Sequence, residues 1–310
     1  MTVSQPTGDL LVLGGSSYVG GHLLARLAAG RHTATYAANP FPGGVHFDCA
    51  AMRLADSEIG DLARFDSALL LLGDTQPDSC VRDPTRSQAV NVDGIKAVID
   101  DLAAVGVRPV FISSEFVFDG RSGPYGESDP PNPILLYGRQ KLEIERYLEA
   151  VLEDFAILRL AKVYGEVPGD GTLFTNWLAP VAEGGHLKCP SDQFFSPIFV
   201  DDAVDAMLSA VAHRIRGTFH LGGPHRLSRM ACLELLIDAA SALRSVDLAI
   251  EPCGINDFDI PEDRPLDVSM RIDKLAGAVD FKPLDVATFC HRLAAAHFGV
   301  GTARADAAPA

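Results

Sequence analysis

Ser114, Tyr137 and Lys141 are the residues of this chain whose types and spacing could move a proton. Tyr137 and Lys141 lie four apart, so on a helix they share one face about a turn apart. A free tyrosine titrates near about 10, and a neighbouring ammonium favours the phenolate, drawing that value towards the working pH of a general acid or base. Ser114 closes an apolar run, where its hydroxyl could hold a substrate oxygen. A hydroxyl, a phenol and an ammonium so arranged suit hydride transfer at a carbonyl, provided a nicotinamide binds beside them.

The stretch that carries them, FISSEFVFDGRSGPYGESDPPNPILLYGRQK, occupies 111–141. It reads as a buried strand, the polar pair Ser113 and Ser114, a Gly/Pro-rich loop and a helix opening at Tyr137. Comparable apolar runs fall at 10–13, 33–36, 68–72, 107–112, 156–160 and 217–221. Helical spacing fills 18–29, 84–105 and 135–152 between them, and recurs at 228–243 and 285–298. This alternation predicts an α/β fold: a Rossmann-like doubly wound parallel sheet with a smaller C-terminal substrate lobe. Right-handed crossovers then put ligands beyond the C-terminal ends of the strands, at Gly14, Gly73 and Ser113. Past Gly165 the chain is richer in Pro, Gly and aromatics and loses the βα rhythm. We therefore expect 1–165 with about 198–222 to bind a dinucleotide, about 166–197 and 223–300 to form the substrate lobe, and 301–310 to be a frayed tail.

Directly after the first strand comes GGSSYVGGHLLARL. Gly14 and Gly15 allow a tight strand-to-helix turn, and Gly20 lets the helix pack close to the sheet. Ser16, Ser17, Tyr18 and Val19 would present first-turn amides and the positive dipole end to a pyrophosphate. Ser17 stands where the middle glycine of such a motif is usual, which crowds the approach slightly. The second strand ends Tyr36-Ala37-Ala38-Asn39, with no acid to take a ribose 2′-hydroxyl and no Arg immediately after it. The missing acid favours NADP(H) and leaves NAD(H) open, with Asn39 near the adenosine and Asp48 beside the adenine amino group.

The 310 residues can bury a sizeable core, and 47% hydrophobic with 22% charged residues is ordinary for a globular protein. A formal charge of −15 argues against nucleic-acid or anionic-membrane partners. No apolar run approaches the roughly 18 residues of a membrane span. MTVSQPTGDL lacks the basic and apolar regions of a secretory signal. Cys49, Cys80, Cys189, Cys232, Cys253 and Cys290 are scattered without a C-x-x-C pair, so a disulfide framework or a metal site is not expected and a cytoplasmic location is.

Taken together, GGSSYVGG, AVNVDG (89–94), ISSEFVFDG (112–120), GPYGESDPPNP with YGRQK (123–141), RLAKVYG (159–165), SDQFFSPIFVDDAV (191–204), FHLGGP (219–224) and RPLDVSM (264–270) resemble the extended short-chain dehydrogenase/reductases, within them the dTDP-4-dehydrorhamnose reductase-like branch. The likeness runs over nearly the whole chain. It implies an NAD(P)H-dependent reductase of a nucleotide-activated 4-keto-6-deoxysugar, with a homodimer as the branch's habit. Carried over by position, Tyr137 would give a proton to the C4 oxygen, Lys141 would lower the tyrosine pKa and hold the nicotinamide ribose, and Ser114 would bond the carbonyl. Leu72, Gly73, Asn91 and Ser113 would border the cofactor and Val163 the nicotinamide. The resemblance places Asp74, Thr75, Glu115, Phe116, Val117, Lys162 and Phe195 about the sugar, and Arg264 near the diphosphate.

Departures cluster around that sugar. Ser114-Glu115-Phe116 stands where the branch commonly has Thr-Asp-Tyr, and Lys162 where a tryptophan is often found. Gly73-Asp74-Thr75 replaces an Ala-rich turn with Tyr, and Phe195 replaces a glycine. A differently decorated 4-keto-6-deoxysugar nucleotide is therefore expected in place of the rhamnose precursor. Two other readings stay open: a non-catalytic subunit like the methionine adenosyltransferase β subunit, and a sugar-nucleotide epimerase. A 4,6-dehydratase would need an Asp-Glu pair after the serine, which Glu115-Phe116 does not supply.

Overall fold

In the computed structural model, residues 4–27 and 30–299 are described. The tail at 301–310 and the last two positions of the helix expected over 18–29 lie outside them. The first part runs β1 (Leu10–Leu13), α1 (Tyr18–Arg26), β2 (His32–Tyr36), β3 (Val45–His46) and β4 (Ser67–Leu70). Then follow α2 (Pro77–Arg82), α3 (Pro84–Gln88), α4 (Ile95–Ala104), β5 (Arg108–Ser114), α5 (Leu136–Val151) and β6 (Ala156–Leu160). Next come β7 (Val163–Tyr164), α6 (Leu178–Glu183), β8 (Gly185–Pro190), β9 (Phe194–Phe195), β10 (Ile198–Phe199) and α7 (Val200–Ala212). The chain closes with β11 (Gly217–Leu221), β12 (Leu227–Ser228), α8 (Arg229–Ser241), β13 (Leu248–Cys253), α9 (Asp273–Ala278) and α10 (Val286–Phe298).

Seven strands form one sheet in the order β11-β6-β5-β4-β1-β2-β3. Every pairing in it is parallel. The strand order reverses between β1 and β4, so their C-terminal ends open a crevice at Gly14 and at 71–73. The sheet is covered on both faces, which is why its central strands read as unbroken apolar runs. Leu10 and Val12 share one core with Leu23, Val204 and Met207, while Leu11 and Leu13 share the other with Ile99, Ile144 and Leu148. Each such side chain contributes about 1.5–3 kcal/mol relative to leaving it in water. A further core gathers Tyr164, Phe174, Trp177, Phe199, Leu233 and Phe289 from the later part of the chain.

Three local differences from expectation have physical causes. The helix expected over 84–105 is interrupted by a π turn at Ala89–Gly94, which swings Asn91 inward. Of the segment expected at about 198–222, Gly217–Leu221 joins the main sheet, whereas Val200–Ala212 is a helix packed on α1, where Arg26 bridges Asp201 and Asp205 at 2.7 and 2.6 Å. The parallel pairing of β8 with β13 joins segments some 60 residues apart, and neither strand alternates cleanly enough to be read in isolation.

Candidate active site

β5 ends on Ser113 and Ser114 and passes into a short 3-10 turn, Glu115–Val117. Ser114 caps that turn, its Oγ accepting the Phe116 amide at 3.2 Å. Because the oxygen is used as an acceptor there, its own proton is free to be given elsewhere. Tyr137 lies in the first turn of α5 and hydrogen-bonds Ser114. Its ring meets Phe116 edge-on at 6.3 Å. The close approach depends on the next residue: a Cβ on Gly138 would stand 2.0 Å from the Phe116 carbonyl oxygen, so only glycine lets α5 abut the turn. Leu135, the N-cap position, has no capping side chain; instead Glu262 accepts the Leu136 amide at 3.1 and 3.2 Å. A carboxylate at a helix N-terminus also suits the dipole.

One turn along α5, the Lys141 ammonium is buried, donates to the Ile112 carbonyl at 2.9 Å, and lies 4.6 Å from the Phe111 ring centre and 5.8 Å from that of Tyr137. Burial pushes its pKa down to about 8, opposed by the charge of Glu145. The expected lowering of the Tyr137 pKa by Lys141 is not what the structure gives. Burial raises the phenol well above its ordinary value, the Ser114 hydrogen bond draws it down, and Cys80, Glu115 and Asp74 add to the rise. The ammonium is turned to a backbone carbonyl and to ring faces, and it does not hydrogen-bond the phenolic oxygen.

Two adjoining cavities meet at this wall. The larger, of about 740 Å³, is lined by Gly14, Ser16, Ser17, Asn39, Asp48 and Leu72, with Gly73, Asp74 and Thr75 at its inner edge. The smaller, of about 320 Å³, is lined by Ser113, Ser114, Tyr137 and Lys141, with Tyr18, Val19, Phe116, Lys162 and Val163 around them. Ser17, Leu71, Leu72, Thr75 and Gln76 border both, so the crevice is continuous. At its entrance Ser17 caps α1 through the Gly20 amide at 3.1 Å. A Cβ at Gly20 would fall 2.5 Å from the Gly14 carbonyl oxygen, so Gly20 serves the approach of helix to turn rather than lining the crevice.

Several assigned residues are otherwise engaged. Asn91 accepts the Asp74 amide at 2.7 Å and donates to the Asp74 carbonyl at 3.0 Å and to Gln140 at 2.8 Å. It therefore clamps the turn after β4. Ser113 donates to Glu145 at 2.5 Å, and Arg159 grips the same buried carboxylate at 2.7 Å. Val117 points into a core with Phe118, Tyr125 and Met270, because the 3-10 turn sends successive side chains to different sides. Phe195, paired with Leu227 in an antiparallel bridge, is 2% exposed in the later core. Arg264 is tied to Asp78 of α2 and to the Glu262 carbonyl at 2.9 Å.

Sequence reasoning missed other participants. Thr35, the polar residue of β2 that is buried, accepts the Gly14 amide at 3.1 Å, and with His32 and Thr33 in the same strand nothing in the sequence set it apart. Arg86 lines the larger cavity. Gln140, on the Tyr137 face of α5, links Asn91 to Ser87. Arg229 carried no local signal at all.

A dTDP-4-dehydrorhamnose reductase of Sinorhizobium fredii (strain NBRC 101917 / NGR234) is 30% identical over 242 residues, covering 75% of this chain and 80% of that protein. The methionine adenosyltransferase 2 subunit beta of Bos taurus is 32% identical over 169 residues, covering 51% of this chain and half of its own length. The crystal structure of dTDP-4-dehydrorhamnose reductase from Bacillus anthracis, in complex with NADP, shares the fold with a TM-score of 0.74 at 18% identity, over 92% of this chain and 98% of that one. Residues 8–295 match the family described as the RmlD substrate binding domain. With that match over nearly the whole described chain, the protein belongs to the RmlD substrate binding domain family.

Proposed function

We propose that this protein is an NAD(P)H-dependent reductase of a nucleotide-activated 4-keto-6-deoxysugar, working at the C4 carbonyl with Tyr137 as general acid. The observation that carries the reading is that Ser114, Tyr137 and Lys141 share one wall of a crevice that continues to the glycine turn after β1. The S. fredii relative, named for a sugar-nucleotide reductase, supports the same class.

The residues fit a nicotinamide dinucleotide. The cavity at the β1 and β4 ends is roomy, the first turn of α1 opens onto it, and Arg86 adds a cation for phosphate. Asn39 lines it where an acid would take a ribose hydroxyl, which favours NADP(H). The reduced nicotinamide, when bound, supplies the hydride to the carbonyl carbon. Tyr137 delivers the proton to the carbonyl oxygen, and its raised pKa keeps the phenol protonated until that transfer. Ser114, whose Oγ accepts the Phe116 amide, turns its one proton from Tyr137 to the incoming oxygen. Lys141 fixes its ammonium between Ile112 and the phenol ring, where it offsets negative charge left on Tyr137.

Tyr137→Phe should lower turnover of keto-sugar nucleotides by about 10²-fold or more, the order expected for losing a general acid. NADPH affinity, read by fluorescence titration, should stay within a few-fold. Unchanged turnover would remove Tyr137 from the reaction. A second reading, a non-catalytic subunit, is favoured by the likeness to methionine adenosyltransferase 2 subunit beta. No NADPH oxidation with any keto-sugar nucleotide, together with co-purification of a partner enzyme, would establish that reading over the first.

A further inference from the structure

Behind the Tyr137 wall stands a charged set that the reduction does not use. Lys162 follows β6; its amide donates to the Glu115 carboxylate and its carbonyl accepts the Ile198 amide at 2.9 Å. With the backbone held on both sides, the side chain opens onto the smaller cavity beside Tyr137. Its ammonium makes no hydrogen bond or direct ion pair among the described residues. Arg229 is near enough to bias both Lys162 and Glu115, yet among the described residues its guanidinium bonds only the neutral Gln193 side chain, at 2.9 Å, and rests 5.9 Å from the Phe195 ring centre. Glu115 is 4% exposed, and its Oε2 has no hydrogen-bond partner.

We propose that Lys162, backed by Arg229 and Glu115, receives an acidic substituent on the sugar, so that the preferred substrate is a keto-sugar nucleotide whose hexose carries a carboxylate rather than a neutral one. The inference rests on the sugar-nucleotide reductase reading above, and it departs from the 6-deoxy part of that reading by putting a carboxylate on the hexose. Lys162 is exposed where it opens onto the cavity, and an ammonium with no carboxylate paired to it among the described residues presents positive charge to whatever binds beside Tyr137. Burial pushes the Glu115 carboxyl up to about 8, against the pull of Lys162 and Arg229. At neutral pH it therefore keeps its proton and does not compete with an incoming anion for Lys162. A carboxylate bound in the cavity would accept from the Lys162 ammonium, with Arg229 adding positive charge from further back. A methyl or hydroxyl group would leave the ammonium without a counter-charge.

The test is direct binding, independent of turnover, with NADP⁺ present. UDP and dTDP are titrated first, and the better base is then used for the matched pair of its glucose and glucuronate nucleotides. The wild type should favour the glucuronate by about tenfold or more, the order of one charge-assisted contact. Lys162→Gln should lose that preference without losing affinity for the free diphosphate, and Lys162→Arg should keep it. Equal binding of the pair by the wild type, or a preference that survives in Lys162→Gln, overturns the inference and leaves the reductase reading standing. Failure of both diphosphates to bind overturns the sugar-nucleotide reading and this inference with it.

Discussion

Glu115 shows how one side chain ties chemistry to stability. Its pKa is about 8 in the folded protein, raised by burial from an ordinary carboxylate value of 4.5. Between those values the folded state holds a proton that the unfolded chain has released, so stability falls as pH rises through that window. It is fully present below about 4.5 and lost by about 8. Glu115→Gln keeps the shape and cannot ionise. It should therefore melt about 2 °C or more above the wild type at pH 8.5 and match it at pH 5, as read by differential scanning calorimetry. A wild-type advantage at the higher pH would mean that the carboxylate is well paired. Lys141 runs the other way: with its pKa lowered to about 8, it makes the protein more stable as pH rises from there towards the unfolded value of 10.5. Its role in the site thus costs stability at neutral pH. That a serine, a phenol and an ammonium could act together was legible in their spacing. That burial, not the lysine, governs the phenol was not, because desolvation depends on everything packed around it.

The elements that hold these groups depend on close approach. α5 is pinned to the turn after β5 by the absence of a side chain at Gly138 and by a cap delivered from Glu262, 126 residues away. Gly138→Ala would force its Cβ against the Phe116 carbonyl, which cannot move without shifting Ser114. Overpacking of this kind typically costs about 1–3 kcal/mol. Turnover should fall by about tenfold or more while the Tm drops by a few degrees, and a cofactor titration should show NADPH still bound. Wild-type turnover in that variant would show that α5 can slide without harm. The helix itself was legible from its apolar period, and its start from Tyr137, but a cap contributed by a distant loop has no local sequence signature. The same holds for the turn after β4, where Asn91 and Gln140 meet only because a π turn and a helix converge on it.

For the molecule as a whole, the crevice lies where the strand order reverses, and ligand binding should be felt through the entire fold. A dinucleotide that binds only the folded state at about 100 times its Kd adds roughly 2.7 kcal/mol. NADPH should raise the Tm by several degrees, and NADH by less, since Asn39 stands where an acid would select the 2′-hydroxyl. A larger shift with NADH would reverse the cofactor preference, and no shift with either would remove the dinucleotide from the account. Among the described residues no helix is long and apolar enough to cross a membrane. Among them too, no cluster of three metal-ligating side chains is formed.

What could be read from residue order alone was whatever repeats at short range. The βα alternation, the glycine turn and the Tyr137/Lys141 spacing all rest on periods of a few residues, and β1, β6 and β11 begin and end where their apolar runs do. Folding settled whatever depends on which distant segments meet. It sent Val117 and Phe195 into cores, spent Arg264 on Asp78, and assembled Glu115, Lys162 and Arg229 from three separate segments. Charge and burial act through space, so their consequences appear only once the chain has closed on itself.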